Sequence, residues 1–299
     1  RFFNKLDLKG LLVKDLQKDT LLYAGTAKIN ITDWFFLRDT VVLHYASLED
    51  AVVNMNRTDS VWNYQFMANF FASPGSSKQK SVIQFNIKEL QLQNIRFNQI
   101  DKWEGRNMIV AIKKMDMQAD SMDFNTKRLH INSFKLVTPV FFMSDYTGNR
   151  NKLGLIKPKI KKIPVPGQLQ WNPGGWVINV KKLLLQNGIF INEAETDKPA
   201  MANQFDGNHL RFSNINGELL NIHFEKDTLT TKGILSTKER SGFEVKKLAA
   251  QIKFTPSIME FKQLNLLTNK SRLGNYYAMR YNDFNADMGD FLHKVTVEG

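Results

Sequence analysis

The chain has 299 residues, 42% of them hydrophobic, with 22 Phe, no Cys and a formal net charge of +12. That apolar content suffices for a folded core and excludes a disordered chain, while the lack of cysteine excludes disulfides, thiolate metal sites and thiol catalysis together. Phe, Ile, Val and Thr set among Asn, Lys and Gln favour strands with polar turns over a helical bundle, and the scattered basic residues read as a solvated outer face.

The chain opens on RFFNKLDLKG, which has neither an initiator Met nor a signal-peptide layout and reads as an excerpt of something longer. Thr32 followed by Asp33-Trp34-Phe35-Phe36-Leu37 predicts a short capped helical turn. SPGSSKQKS, residues 73–81, has linker composition. Beyond it Ile83, Phe85 and Ile87 alternate with polar residues as a half-buried strand requires, and after Lys88-Glu89 the apolar phase slips to Leu90 and Leu92. Residues 146–176, which include KPKIKKIPVPG and NPGG, predict a long loop or crossover, with the lysines offering a contact for lipid headgroups or a partner. Next come Ile178 and Val180, then a slip after Lys181-Lys182 to Leu183 and Leu185. A third slip follows Lys246-Lys247, between Phe243/Val245 and Leu248/Ala250/Ile252/Phe254. Each slip predicts a β-bulge with the charged doublet turned to water, and hence long, curved strands. Residues 282–291 offer another short helical turn, and no run approaches the ~20 apolar residues of a membrane-spanning helix.

One phrase recurs. KELQLQNIRF, residues 88–97, and KKLLLQNGIF, residues 181–190, agree at six of ten positions 93 residues apart, with Asn86 and Asn179 extending the match. Looser copies centre on Leu48 and Leu136, so that Leu48, Leu92, Leu136 and Leu185 are separated by 44, 44 and 49 residues, and a weaker one holds Leu264 and Leu266. Such self-similarity predicts a repeat architecture whose units bury their apolar faces on one another. The expected divisions are strand units over 1–72, the linker over 73–81, a repeat unit over 82–145, the crossover over 146–176 and further units over 177–299.

Chemistry-bearing motifs are missing from the sequence. The five histidines, His44, His130, His209, His223 and His293, show no metal-ligand spacing, and no GxxxxGK, GxGxxG or GxSxG occurs. Neither an enzyme, a metal nor a cofactor is expected. Because the aromatics fall in the apolar phase of strands, they belong to an interior and no nucleic-acid partner is expected. Asp followed by Ser/Thr and an apolar residue recurs at Thr20, Thr40, Ser60, Ser121 and Thr228. That pattern starts turns before strands, and it is also similar to the O-glycosylation sequon of exported proteins in the Bacteroidota, with those hydroxyls as acceptors.

Residues 28–66, KINITDWFFLRDTVVLHYASLEDAVVNMNRTDSVWNYQF, resemble the N-terminal region of AsmA-like proteins, with Trp62-Asn63-Tyr64 as the Asn-bearing segment. Residues 227–281, with DTLTTKGILSTKERSGFEVKKLAAQIKF and LNLLTNKSRLGNYYAMRY, look like the TamB branch as found in Bacteroidota. The resemblance implies a mostly β fold: an elongated, curved antiparallel sheet forming a taco-like groove with an apolar interior and few helices. It implies a periplasmic protein, anchored in the inner membrane through a segment outside this sequence, that conducts phospholipid between the membranes. Its ligand would be acyl chains in a trough lined by Ile83, Phe85, Ile87, Leu90, Leu92, Ile178, Val180, Leu183, Leu185, Phe243, Val245, Leu248, Ile252 and Phe254. The alternative implied role is a scaffold for outer-membrane protein assembly with a TamA/BamA-type barrel partner, through strand addition at a sheet edge.

Overall fold

The structure, a computed structural model, describes residues 5–32, 42–72, 87–155, 169–196, 199–201, 203–284, 287 and 290–299. Among the described residues thirteen strands form one curved open sheet in which spatial order follows sequence order. They are β1 (Lys5–Lys14), β2 (Thr20–Thr32), β3 (Val42–Arg57), β4 (Glu89–Asp101), β5 (Arg106–Asp123), β6 (Arg128–Asp145), β7 (Val177–Ala194), β8 (His209–Glu225), β9 (Thr228–Glu239), β10 (Glu244–Thr255), β11 (Ile258–Thr268), β12 (Arg272–Arg280) and β13 (Thr296–Glu298). Among the described residues the helices are short: α1 (Gln65–Ala72), α2 (Asn149–Lys152) and α3 (Phe291–Lys294). The mostly β groove-like sheet expected from the sequence is therefore what the chain forms.

One part of that expectation needs correcting, because β3/β4 and β6/β7 pair in parallel. The reason is directional. β1–β3 and β4–β6 are each an up-down-up block, so each block ends pointing the way the next begins, and a crossover must carry the chain back. The blocks β1–β3, β4–β6 and β7–β13 lie within residues 1–72, 82–145 and 177–299, all in one sheet. The helical turn at 33–37, the linker at 73–81 and the proline run at 157–167 lie outside the described residues.

The blocks explain the repeated phrase. β4 and β7 each open a block, and β1 proves to be a third copy: Leu6/Leu8, Leu90/Leu92 and Leu183/Leu185 are followed two residues on by Gly10, Asn94 and Asn187, at φ 65°, 53° and 53°. Asp50 and Thr138, at φ 52° and 49°, stand at the same place in β3 and β6. One left-handed residue per strand, which Gly and Asn tolerate best, bends the strand and restores its apolar phase. These kinks are in register: Asp50 faces Asn94 across the β3/β4 pair, and the Asn94 amide donates to the Asp50 carboxylate at 2.9 Å.

The charged doublets also mark irregular pairing. Register shifts across Lys246-Lys247, between Val245 and Leu248. Lys181 is passed over between the Val180/Ile222 and Lys182/Leu220 pairs, opposite Asn221 at φ 52°. Lys88 immediately precedes β4, where the neighbouring β5 shifts register between Gln118 and Ser121. Two of the doublets meet on Asp120, whose main-chain oxygen accepts from Lys88 Nζ and whose carboxylate accepts from Lys181 Nζ at 3.1 Å. Hydrogen bonds from Asn132 and then Lys181 hold that carboxyl below its ordinary value.

Candidate functional site

Register turns local alternation into one continuous surface. Starting at β1, successive cross-strand partners are Leu8, Ala27, Leu48, Leu92, Met115, Leu136, Leu185, Gly217, Leu235, Leu248, Leu266 and Leu273. All are apolar or Gly, over twelve strands. With strands about 4.8 Å apart, this row alone runs roughly 50 Å along the sheet. A second row, towards the ends of β3, β4, β6 and β7, runs Leu22, Val53, Phe97, Val110, Phe141, Phe190, Phe212. In it Phe141 and Phe190 stack at 5.9 Å. A third, towards their starts, runs from Met122 and Leu129 through Ile178, Phe224, Leu229 and Phe254 to Met259, Met279 and Val297.

The opposite face is polar at the matching level over β1–β6 and mixed beyond, where Leu184, Glu218, Ile234, Ala249 and Asn265 follow one another. Beside the leucine row stand Asp7, Lys28, Ser47, Gln91, Asp116 and Lys135. Ion pairs such as Lys28–Glu49 and Lys182–Glu218 stud it. Among the described residues no other element packs over the apolar face, since each strand contacts only its neighbours in the one sheet, and its buried hydrophobics, such as Met115 and Met117, are covered from within the sheet. Most of its Leu, Ile and Phe are half-buried, and Met115, Met117, Ala119, Ile131 and Val180 make its best-covered cluster.

Of the residues expected to line a trough, Ile87, Leu90, Leu92, Ile178 and Leu183 pack on that cluster, and Val180 is part of it. Leu185 and Leu248 sit in the central row, Phe254 in the third row, and Ile252 beside it against Phe261. Val245 pairs with Thr237 and Thr268 beyond the β10 bulge, and Phe243 is exposed in the turn before β10. Ile83 and Phe85 lie outside the described residues. Among the hydroxyls considered as glycan acceptors, Ser60 is exposed in the loop after β3, whereas Thr20, Ser121 and Thr228 are half-buried strand residues and Thr40 is not among the described residues.

The structure adds two rims that the sequence reading missed. Above the phenylalanines, past a level holding Met55, Gln99, Met108 and Met143, cross-strand partners become Arg57, Asp101, Arg106 and Asp145 in alternating charge. Arg57 donates to both Asp101 oxygens, at 2.8 and 2.7 Å, and its guanidinium lies 4.7 Å from the Trp62 ring centre. Burial works against ionisation of Asp101, but the Arg57 bonds and the Glu104 N–H outweigh it and hold the carboxyl below its ordinary 3.8. Arg106 pairs with Asp145 at 2.5 Å, and both remain open to water. The residues after β6 strap this rim, with Asn149 N–H on Lys102 O at 2.8 Å, Asn149 Nδ2 on Thr58 O at 2.9 Å and Arg150 on Glu104 at 2.8 Å.

The lower rim is aromatic. Phe124 in the β5–β6 turn meets Trp176 edge to face at 6.1 Å, with Trp171 exposed nearby in chain. The loop carrying both Trp is clamped by Asp227, which accepts from the N–H groups of Gln170, Trp171 and Asn172 at 2.7–3.0 Å.

Asn63 of Trp62-Asn63-Tyr64 closes a separate cleft of about 550 Å³, bonding Asn56, Asn54 and Asp15. Among the described residues no group of three His, Cys, Asp or Glu is placed to hold a metal ion, and no helix is long and apolar enough to cross a membrane. No family model and no curated protein matches this chain.

Proposed function

We propose that this chain is a section of a lipid-conducting groove, carrying phospholipid acyl chains along its apolar face between the two membranes of a cell envelope. The observation that carries the reading is the central row, in which one apolar side chain or Gly per strand continues across twelve strands with no second layer above it among the described residues. Acyl chains in water cost about 0.8 kcal/mol per exposed CH₂, so a continuous apolar track lowers the barrier to their movement at every step. Repetition follows from that task, since each step needs the same chemistry, and no reacting group is required.

Native mass spectrometry and organic extraction of the purified chain test this. Phospholipid is expected to co-purify. Leu92→Glu with Leu185→Glu should lower the bound amount about tenfold or more while the sheet persists, because both side chains face the open trough. A lipid-free wild-type chain would shift the assignment to the assembly scaffold, for which the outer edge of β1, Lys5–Lys14, provides an unpaired strand among the described residues.

A further inference from the structure

Resting on the groove reading, we infer that the upper rim selects zwitterionic phospholipid headgroups, with Arg106 taking the phosphate and Asp145 the ammonium. The argument begins with position. Along β5 and β6 the face passes from Val110/Phe141 to Met108/Met143 and then to Arg106/Asp145, so hydrocarbon gives way to charge within two side-chain levels. A lipid whose acyl chains lie on the phenylalanines and methionines therefore brings its headgroup to this level.

Accessibility decides which charges can serve. Arg57 is held on both sides, by Asp101 and by the Trp62 ring, and the side chains of Arg57 and Asp101 are only 17% and 8% exposed. Arg106 and Asp145 are 63% and 44% exposed and share a single short bond, which leaves guanidinium donors and a carboxylate oxygen for a ligand. Arg150 and Glu104 neutralise each other in the strap, at 2.8 Å.

The pattern also discriminates. The strands carrying cation and anion lie about 4.8 Å apart and the charged groups themselves meet at 2.5 Å, so both charges are within reach of one phosphate and ammonium joined by a two-carbon linker. An ethanolamine headgroup laid antiparallel to the pair satisfies both charges. An anionic glycerol headgroup gains Arg106 but faces Asp145 without a counter-charge, and wet, screened groups of this kind give modest discrimination.

The test equilibrates the full chain with vesicles of equal phosphatidylethanolamine and phosphatidylglycerol and reads the ratio of the two in the extracted, protein-bound lipid. Enrichment of the ethanolamine lipid of about threefold is expected. Arg106→Gln should reduce it to near unity, and Asp145→Asn should reverse it in favour of the glycerol lipid. The exchanged pair, Arg106→Asp with Asp145→Arg, should restore enrichment, which a merely structural role would not do. Equal ratios in all four proteins, with lipid still bound, would overturn the rim assignment alone, whereas no lipid in any of them would overturn the groove reading itself. Displacement of bound lipid by soluble phosphoethanolamine would assign the pair to a free zwitterion and also overturn the inference.

Discussion

The two rims finish the same apolar face by opposite means. The upper one is built from ion pairs and backbone bonds: Gly105 and Gly148 interlock so closely that a Cβ on Gly148 would sit 2.4 Å from Trp103 O, and one on Gly105 would sit 1.9 Å from Tyr146 O. The lower one sets rings against rings on a loop held by Asp227, and there a Cβ on Gly174 would meet only the Trp176 side chain, at 2.9 Å from Cδ1. Backbone cannot yield as a side chain can. The upper rim is therefore the fixed boundary of the groove and the lower one the adaptable boundary.

Substitutions at the two rims sharpen that contrast. Gly148→Ala should cost about 3 kcal/mol in denaturant unfolding, since main chain must move to admit the methyl. Arg57→Ala, which strands Asp101 in a mostly buried place, should cost about 2–3 kcal/mol. The same variant should alter the acid limb. Because the Asp101 carboxyl lies below its ordinary 3.8, its contribution is complete above that value and is lost as pH falls through the depressed one, so Arg57→Ala should show a shallower loss of stability between neutral pH and strong acid. Gly174→Ala at the lower rim should cost only about 1 kcal/mol and be seen mainly as a change in Trp fluorescence as Trp176 shifts. Equal costs for Gly148→Ala and Gly174→Ala would break the contrast. The smallest effect should come from neither rim. Thr138 is the one β-branched residue among the aligned kinks, and Thr138→Asn should stabilise by about 0.5–1 kcal/mol.

Much of the sheet was legible because alternation and phase slips are local. Val180 handing over to Leu183 and Leu185 announces strand, bulge and face together, and the leucine period marks positions that turn out to be neighbours in one row. Parallel pairing was not legible, because the direction in which a strand joins its neighbour depends on crossovers whose sequence encodes no register. β1 was missed as a copy because Gly10 stands where the later copies carry Asn94 and Asn187, the same backbone solution in a different side chain. The upper rim is split among four strands, and a charged residue at a strand end is ordinary. A usable signal existed nonetheless: Arg57, Asp101 and Asp145 are spaced by the same 44 residues as Leu48, Leu92 and Leu136.

The odd number of strands in each of the first two blocks bears on how the molecule is made. β1–β3 and β4–β6 each close through hairpin-type pairings between strands adjacent in sequence, and such contacts form early because little chain entropy is spent on them. Joining blocks demands the parallel β3/β4 and β6/β7 contacts, about 44 to 49 residues apart along the chain, and these must come later. Until they form, β3 and β6 are naked edges with apolar side chains beside them. In a chain made from its N-terminus the edge of each of these blocks therefore stays open until the first strand of the next block, β4 or β7, arrives to cover it.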